Sequence, residues 1–160
     1  LPIQLAWPLQ LKVEHTFFYT APPFQSEPPT QEEARRKARY DRFASELRRN
    51  SSLTLREGRC QCVGGEYRQK GVDTLLTMDL LSVPHRFQHI RKIIILTCDT
   101  DFVPVLQELR RLGIEVILCY YSDFIRGSAF SMSNHILTAC DTRILMTEEL
   151  LQKCIRSRHR

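Results

Sequence analysis

The sequence predicts an α/β fold with a mainly parallel sheet and helices on both faces, and three features predict it. Residues 93–96 and 114–120 are short, nearly continuous apolar runs rich in β-branched residues, the pattern of strands buried on both faces. Stretches with helical apolar spacing lie before and after each run, and such alternation closes a parallel sheet through helical crossovers. Between the first run and its helix stands T-C-D-T-D-F at 97–102. It places Asp99 and Asp101 outside the carboxyl end of a strand, where ligands gather in open α/β sheets, and a helix starting there offers backbone N–H groups to phosphate oxygens.

Each element follows from local signals. Residues 1–11 are apolar but interrupted by Pro2 and Pro8, which predicts an extended or irregular entry. Residues 13–20, V-E-H-T-F-F-Y-T, have the β-branched and aromatic content of a strand, and Ala21-Pro22-Pro23 ends it in a proline-rich loop to Pro29. Thr30, with Glu33 three residues on, forms a capping box that opens a helix to about Arg49. Its Tyr40, Phe43, Ala44 and Leu47 repeat at i, i+3, i+4, i+7. Arg35, Arg36, Lys37, Arg39, Arg42, Arg48 and Arg49 crowd the remaining surface. Either a basic binding face or a solvated helix laced by pairs such as Glu32 with Arg36 and Glu33 with Lys37 accounts for them.

Residues 53–63 alternate weakly, predicting one strand that turns at Gly64-Gly65 and leads into Gln69-Lys70-Gly71-Val72-Asp73. A leucine-rich helix begins near Asp73 and stops before Pro84, followed by a basic connection over 85–92. After the buried strand 93–96, a helix over 102–112 ends at Gly113 and a second buried strand covers 114–120. Residues 127–139 are then predicted helical and 143–146 a short strand. Thr147 caps a last helix with Glu148 and Glu149 in its first turn.

With 160 residues, 42% hydrophobic and 26% charged, the chain has the apolar content for the core of one domain. Residues 1–160 read as that domain, with 147–160 a C-terminal helix and basic tail. No apolar run approaches the ~20 residues of a membrane span, and the first residues lack the features of a signal peptide, so no membrane association and a cytoplasmic location are expected. The formal charge of +5 and pI of 9.0 permit attraction to a polyanion. The six cysteines are expected as thiols. Cys98, Cys119 and Cys140 sit in or beside apolar runs as small core residues, while Cys60 and Cys62 lack a second pair at zinc-finger spacing. The five histidines show no metal spacing.

Asp99 and Asp101 are carboxylates one residue apart, and Asp73 stands at the start of another predicted helix. Brought together by a sheet, the three would suit Mg²⁺ or Mn²⁺, which favour oxygen ligands and retain several waters. Helix capping is the other role for an aspartate at such a junction, and Asp101 before Phe102 is placed for it.

K-G-V-D at 70–73, a leucine-rich helix with D-L-L at 79–81, an apolar strand, D-T-D-F at 99–102 with Pro104 and Leu106, and G-I-E-V at 113–116 follow one another. In this combination the chain resembles the NYN domain family, to which the LabA-like proteins belong. The resemblance is specific over about 67–116 and looser through Asp141. It implies a PIN-like nuclease fold, a Rossmann-like three-layer sandwich with a mainly parallel central sheet, and RNA cleavage with Mg²⁺ or Mn²⁺. Carried over by residue, Asp73, Asp99 and Asp101 are the implied metal-binding and catalytic acids, and Lys70 is the lysine that holds an acid or contacts a phosphate. Arg35, Arg36 and Arg39 are the accompanying candidates for RNA contact. Asp141 and Asn134 are peripheral candidates, together with Ser131 and Ser133 on the same predicted helix. Two departures stand out: no segment matches the family's usual first strand ending in D-G-x-N, which supplies a first acid, and Cys98 replaces the glycine of an S-G-D turn.

The expected function is metal-dependent hydrolysis of RNA phosphodiester bonds, with single-stranded RNA as partner. Two other classes fit the same residues: a noncatalytic RNA-binding regulator, and a protein-interaction module that forms a homo-oligomer through exposed apolar surface such as residues 1–11. Tyr67, His85 and Phe124 are aromatic candidates for stacking on a base, or else packing and surface residues.

Overall fold

The computed structural model describes residues 2–122 and 132–156. In chain order its elements are α1 (Pro2–Ala6), β1 (Thr16–Thr20), α2 (Gln31–Arg48), β2 (Leu53–Glu57), β3 (Arg59–Val63), β4 (Glu66–Lys70), α3 (Val72–Arg86), β5 (Lys92–Leu96), α4 (Val103–Arg111), β6 (Glu115–Tyr120), α5 (Asn134–Ala139), β7 (Thr142–Leu145) and α6 (Glu148–Arg156). The architecture is α/β. Among the described residues β1 pairs with β2 in parallel, β3 with β4 as an antiparallel hairpin, and β5, β6 and β7 form a parallel three-stranded sheet. The chain divides into two compact units, Val13–Met78 and Leu1–Lys12 with Asp79–Arg160.

In the unit Val13–Met78, β1, α2 and β2 make a parallel crossover. Thr16 lies opposite Leu53 and Thr20 opposite Glu57, with α2 packed on β2. The helix starts as its sequence dictates: Thr30 Oγ1 accepts the Glu33 N–H at 3.2 Å and Glu33 Oε2 accepts the Thr30 N–H at 2.8 Å. Glu33 Oε2 also accepts the Ser26 hydroxyl, which ties the proline-rich loop to the helix start. That commitment buries Glu33 and removes it from the expected pairing with Lys37, which bonds Asp41 instead.

Residues 53–63 are two strands rather than one, broken at Gly58. Gly64 and Gly65, at φ +60° and +83°, make the hairpin turn between β3 and β4, the left-handed conformation that two-residue hairpin loops require. Among the described residues the buried apolar side chains of this unit are Ala21 and Ala44, while Phe18, Phe43, Val63, Tyr67 and Met78 stay exposed.

The other unit holds most of the core. Val116, Ile117, Leu118 and Cys119 on β6 are 0–1% exposed, joined by Leu106, Leu109 and Ile136 from α4 and α5. Each such side chain contributes about 1.5–3 kcal/mol by leaving water. The strand over 93–96 is less buried than its composition predicts: Ile95 is buried, yet Leu96 is 50% exposed. Among the described residues β5 has a strand neighbour only on its β6 side, and an edge strand covers less of its surface.

Three further expectations change. Residues 2–6 are helical rather than irregular: Pro2 occupies the first turn, where its missing N–H costs nothing, and Leu5 and Ala6 are buried. The helix α3 runs through Pro84 to Arg86, because a proline in the last turn removes a single backbone bond while buried Leu80 and Val83 hold that turn. The predicted helix over 127–139 begins at Asn134, after the N-cap Ser133, and its earlier part falls largely outside the described residues. Gly113 ends α4 at φ +81° and Thr147 Oγ1 accepts the Leu150 N–H at 3.3 Å, both as the sequence predicts. No described helix is long and apolar enough to cross a membrane.

The Ser26 hydroxyl, followed by the Thr30 N–H, holds the Glu33 carboxyl down at about 2 against an ordinary value of 4.5. A depressed carboxyl stabilises the fold fully above its unfolded value and loses that contribution as pH falls through its folded one. Glu33→Gln should therefore lower Tm at neutral pH. Thermal melts across pH should show the gap to wild type closing between about 4.5 and about 2.

Candidate functional site

The T-C-D-T-D-F segment forms a tight turn between β5 and α4. Asp99 has extended backbone, and Thr100–Phe102 make one 3₁₀ turn before α4 begins at Val103. Phe102 is 4% exposed, so the far end of the turn is pinned in the core while Asp99 and Asp101 face water. Thr97 Oγ1 accepts the Asp99 N–H at 3.1 Å, and Asp99 Oδ1 accepts the Asp101 N–H at 2.9 Å. The cap is thus Asp99 rather than Asp101. Among the described residues no hydrogen bond or ion pair engages Asp99 Oδ2 or either oxygen of Asp101. Cys98, expected in the core, lies exposed in this turn, because it stands two residues past the end of β5 and has no strand to carry it inward. Cys119 and Cys140 are buried as expected, and burial pushes the Cys119 thiol up to about 11.

Asp73 sits in the first turn of α3, exposed, with no partner for its carboxylate among the described residues. It belongs to the unit Val13–Met78, and Asp99 and Asp101 to the other. Gly71 explains the second letter of K-G-V-D: its φ of +80° is a left-handed conformation that side chains disfavour, and it turns the chain from β4 into α3. Lys70 closes β4 opposite Arg59 and is exposed.

Gly58 is the residue that sequence reasoning missed. A Cβ there would stand 2.4 Å from the Lys70 carbonyl oxygen and 2.8 Å from Val72 Cγ2. Its absence lets the junction of β2 and β3 pass directly against the K-G-V-D segment. A lone glycine interrupting the weak alternation over 53–63 was the available signal.

On α2, Arg36 pairs with Glu32 at 3.7 Å, Lys37 with Asp41 at 2.5 Å, and Arg48 with Glu57. Arg35, Arg39 and Arg42 are exposed and, among the described residues, have no carboxylate partner. Their spacing of i, i+4, i+7 puts them along one side of the helix. Both readings of this helix therefore hold in part, with some cations neutralised in place and a stripe left over.

Asp141 is committed elsewhere: Oδ1 accepts Arg110 Nε–H at 2.7 Å and Oδ2 accepts the Val116 N–H at 2.9 Å. It braces the start of β6. Asn134 is the exposed first residue of α5, and its carbonyl accepts the Thr138 hydroxyl at 2.9 Å. Ser133 Oγ accepts the His135 N–H as the cap of α5. Ser131 and Phe124 lie outside the described residues, His85 is exposed near the end of α3, and Tyr67 is exposed on β4.

The described residues contain no group of three or more His, Cys, Asp or Glu side chains that could hold a metal ion. The pair in the turn nonetheless has suitable donor chemistry. Among the described residues Asp99 Oδ2 and the Asp101 carboxylate are uncommitted, water-exposed oxygens, which suit Mg²⁺ or Mn²⁺ with water completing the shell.

The family model for the NYN domain matches residues 12–147 of this chain. Neither the curated proteins nor the solved structures yield a match.

Gly58→Ala should force the Lys70 carbonyl and Val72 apart, at the cost of about 1–3 kcal/mol typical of overpacking. Its check is a lowered Tm together with faster amide exchange over residues 66–73 than in the wild-type chain.

Proposed function

The chain belongs to the NYN domain family, a PIN-like nuclease family, and from that premise we propose that it is a divalent-metal-dependent endoribonuclease acting on single-stranded RNA in the cytoplasm. The observation that carries the reading is the turn after β5, where two carboxylates stand exposed in one short segment with three of their four oxygens uncommitted among the described residues. In this reading Asp99 and Asp101 are ligands of Mg²⁺ or Mn²⁺, and Asp73 is a further candidate acid of the same chemistry. The chemistry supplied by such an ion when bound is Lewis-acid polarisation of the phosphoryl group and acidification of a water molecule. The chain's own residues orient and bind: Asp99 fixes the turn through the Asp101 N–H, and Lys70, Arg35, Arg36 and Arg39 contact the RNA strand.

Asp99→Asn separates this reading from a structural one. The asparagine keeps an Oδ1 acceptor for the Asp101 N–H, so the turn survives while a negative ligand is lost. On labelled single-stranded RNA with Mn²⁺, the variant should cleave at least about 100-fold more slowly than wild type with Tm unchanged, and EDTA should abolish wild-type cleavage. Equal rates for the two proteins would sink the proposed site.

A second reading, a noncatalytic RNA-binding protein, is favoured by the unpaired stripe of Arg35, Arg39 and Arg42, whose attraction for phosphate needs no metal. Both readings expect RNA binding in EDTA with a salt slope that falls by about 0.7 for each arginine removed. Replacing all three by alanine should flatten log K against log salt by about 2. Binding of this kind without Mn²⁺-dependent cleavage would select the second reading.

A further inference from the structure

The unit Val13–Met78 contains a cleft lined by its own residues. Arg36, Arg39, Tyr40 and Phe43 of α2 line one wall, Pro22 and Pro23 another, and Cys60 and Gln69, partners across the β3–β4 hairpin, a third. Its volume of about 450 Å³ falls in the usual range of small-molecule clefts. The Tyr40 hydroxyl donates to Glu57 Oε1 at 2.7 Å, and Glu57 also takes Arg48, so this ring is held in place. Desolvation and the Glu57 bond push the Tyr40 phenol up, which keeps it a donor.

Beside the cleft the Arg36 guanidinium lies 5.7 Å over the Tyr67 ring, and Phe24 packs 5.9 Å from the same ring. Tyr67 is nevertheless 53% exposed. The Gln69 side chain has no partner among the described residues, so its amide offers both a donor and an acceptor. Arg35, Arg39 and Arg42 run along the same helix and have no carboxylate partner among the described residues.

A ligand that satisfies all of these groups has a flat π face, a polar edge and an anionic tail. We infer that the cleft takes one unpaired nucleobase of a single-stranded RNA, stacked on the Arg36 guanidinium that the Tyr67 ring backs and met at its edge by Gln69, with neighbouring phosphates along Arg35, Arg39 and Arg42. A base in a duplex has both faces stacked and its edge paired, so the cleft selects for single strands. The inference rests on the RNA reading above for the class of ligand, and on none of its metal chemistry.

The test is fluorescence anisotropy in EDTA with a labelled single-stranded RNA and an abasic ribose–phosphate oligomer of equal length. Tyr67→Ala should weaken RNA binding about 5- to 100-fold, leave the abasic oligomer unaffected and leave the salt slope unchanged, while Tyr67→Phe binds as wild type. Should Tyr67→Ala fail to fold by circular dichroism, Gln69→Ala carries the test, because it should alter the preference among A, C and U homopolymers and leave abasic binding alone. RNA affinity that survives both alanine variants, or that falls equally for the abasic oligomer, overturns the base pocket and leaves the RNA reading standing. A wild-type chain that binds neither oligomer overturns both.

Discussion

The unit that carries the acid turn depends on β6 being covered on both faces and bonded on both edges. Side chains alternate along a strand, so Val116 and Leu118 point one way and Ile117 and Cys119 the other, and all four are buried. On its edges β6 is in register with β5, Ile93 opposite Val116, and with β7, Ile117 opposite Thr142. Asp141 secures its start by accepting the Val116 N–H and the Arg110 guanidinium together, and Lys92 meets Glu115 at 2.6 Å across the first rung. Because β5 is held by this register, the point at which the chain leaves it is fixed. The turn at 97–102 therefore leaves from a pinned strand and ends on buried Phe102. Its carboxylates meet solvent from a backbone anchored at both ends.

Where local chemistry decides an element, the sequence was readable. Thr30 with Glu33, Gly64-Gly65, Gly113 and Thr147 each act through one or two backbone groups, and each does what its residue type requires. The failures share a different cause, since they turn on what lies alongside the segment. Pro84 reads as a helix stop until Leu80 and Val83 are known to be buried around it. Residues 93–96 read as fully covered because composition reports hydrophobicity and not the number of neighbouring strands. Gly58 gives little hint of its role until the Lys70 carbonyl is found 2.4 Å from where its Cβ would stand.

The candidate site was legible in the same uneven way. The adjacency of Asp99 and Asp101 is a property of the sequence, whereas the left-handed backbone at Gly71 came to light only in the structure. Which aspartate caps the turn is not legible in the sequence either, because both satisfy the same preference and only the backbone geometry selects Asp99. The charged helix α2 was ambiguous for a similar reason. Sequence spacing names every pair that is able to form, but Glu33 is drawn into the capping box and Lys37 turns to Asp41. The unpaired arginines emerge only after that competition is resolved.

Most other acids of this chain whose positions are described sit against a cation, as Glu57, Asp79, Glu108, Glu115 and Asp141 do. The pair in the turn lacks one, and its repulsion is tolerable because exposed charges at 4 Å interact by only about 1 kcal/mol in water. Asp99 has a structural reason to be there, since an N-cap contributes about 1 kcal/mol. Among the described residues no partner hydrogen-bonds the Asp101 side chain, and its remaining structural benefit is its charge near the start of α4, worth about 0.3–1 kcal/mol. That same helix start carries roughly half a positive charge, which opposes a cation approaching the turn. One carboxylate would leave only a weak net field for a divalent ion to feel. Two, close together and facing water, outweigh the helix end, so the second aspartate adds attraction for a hard cation that a capping role alone does not require.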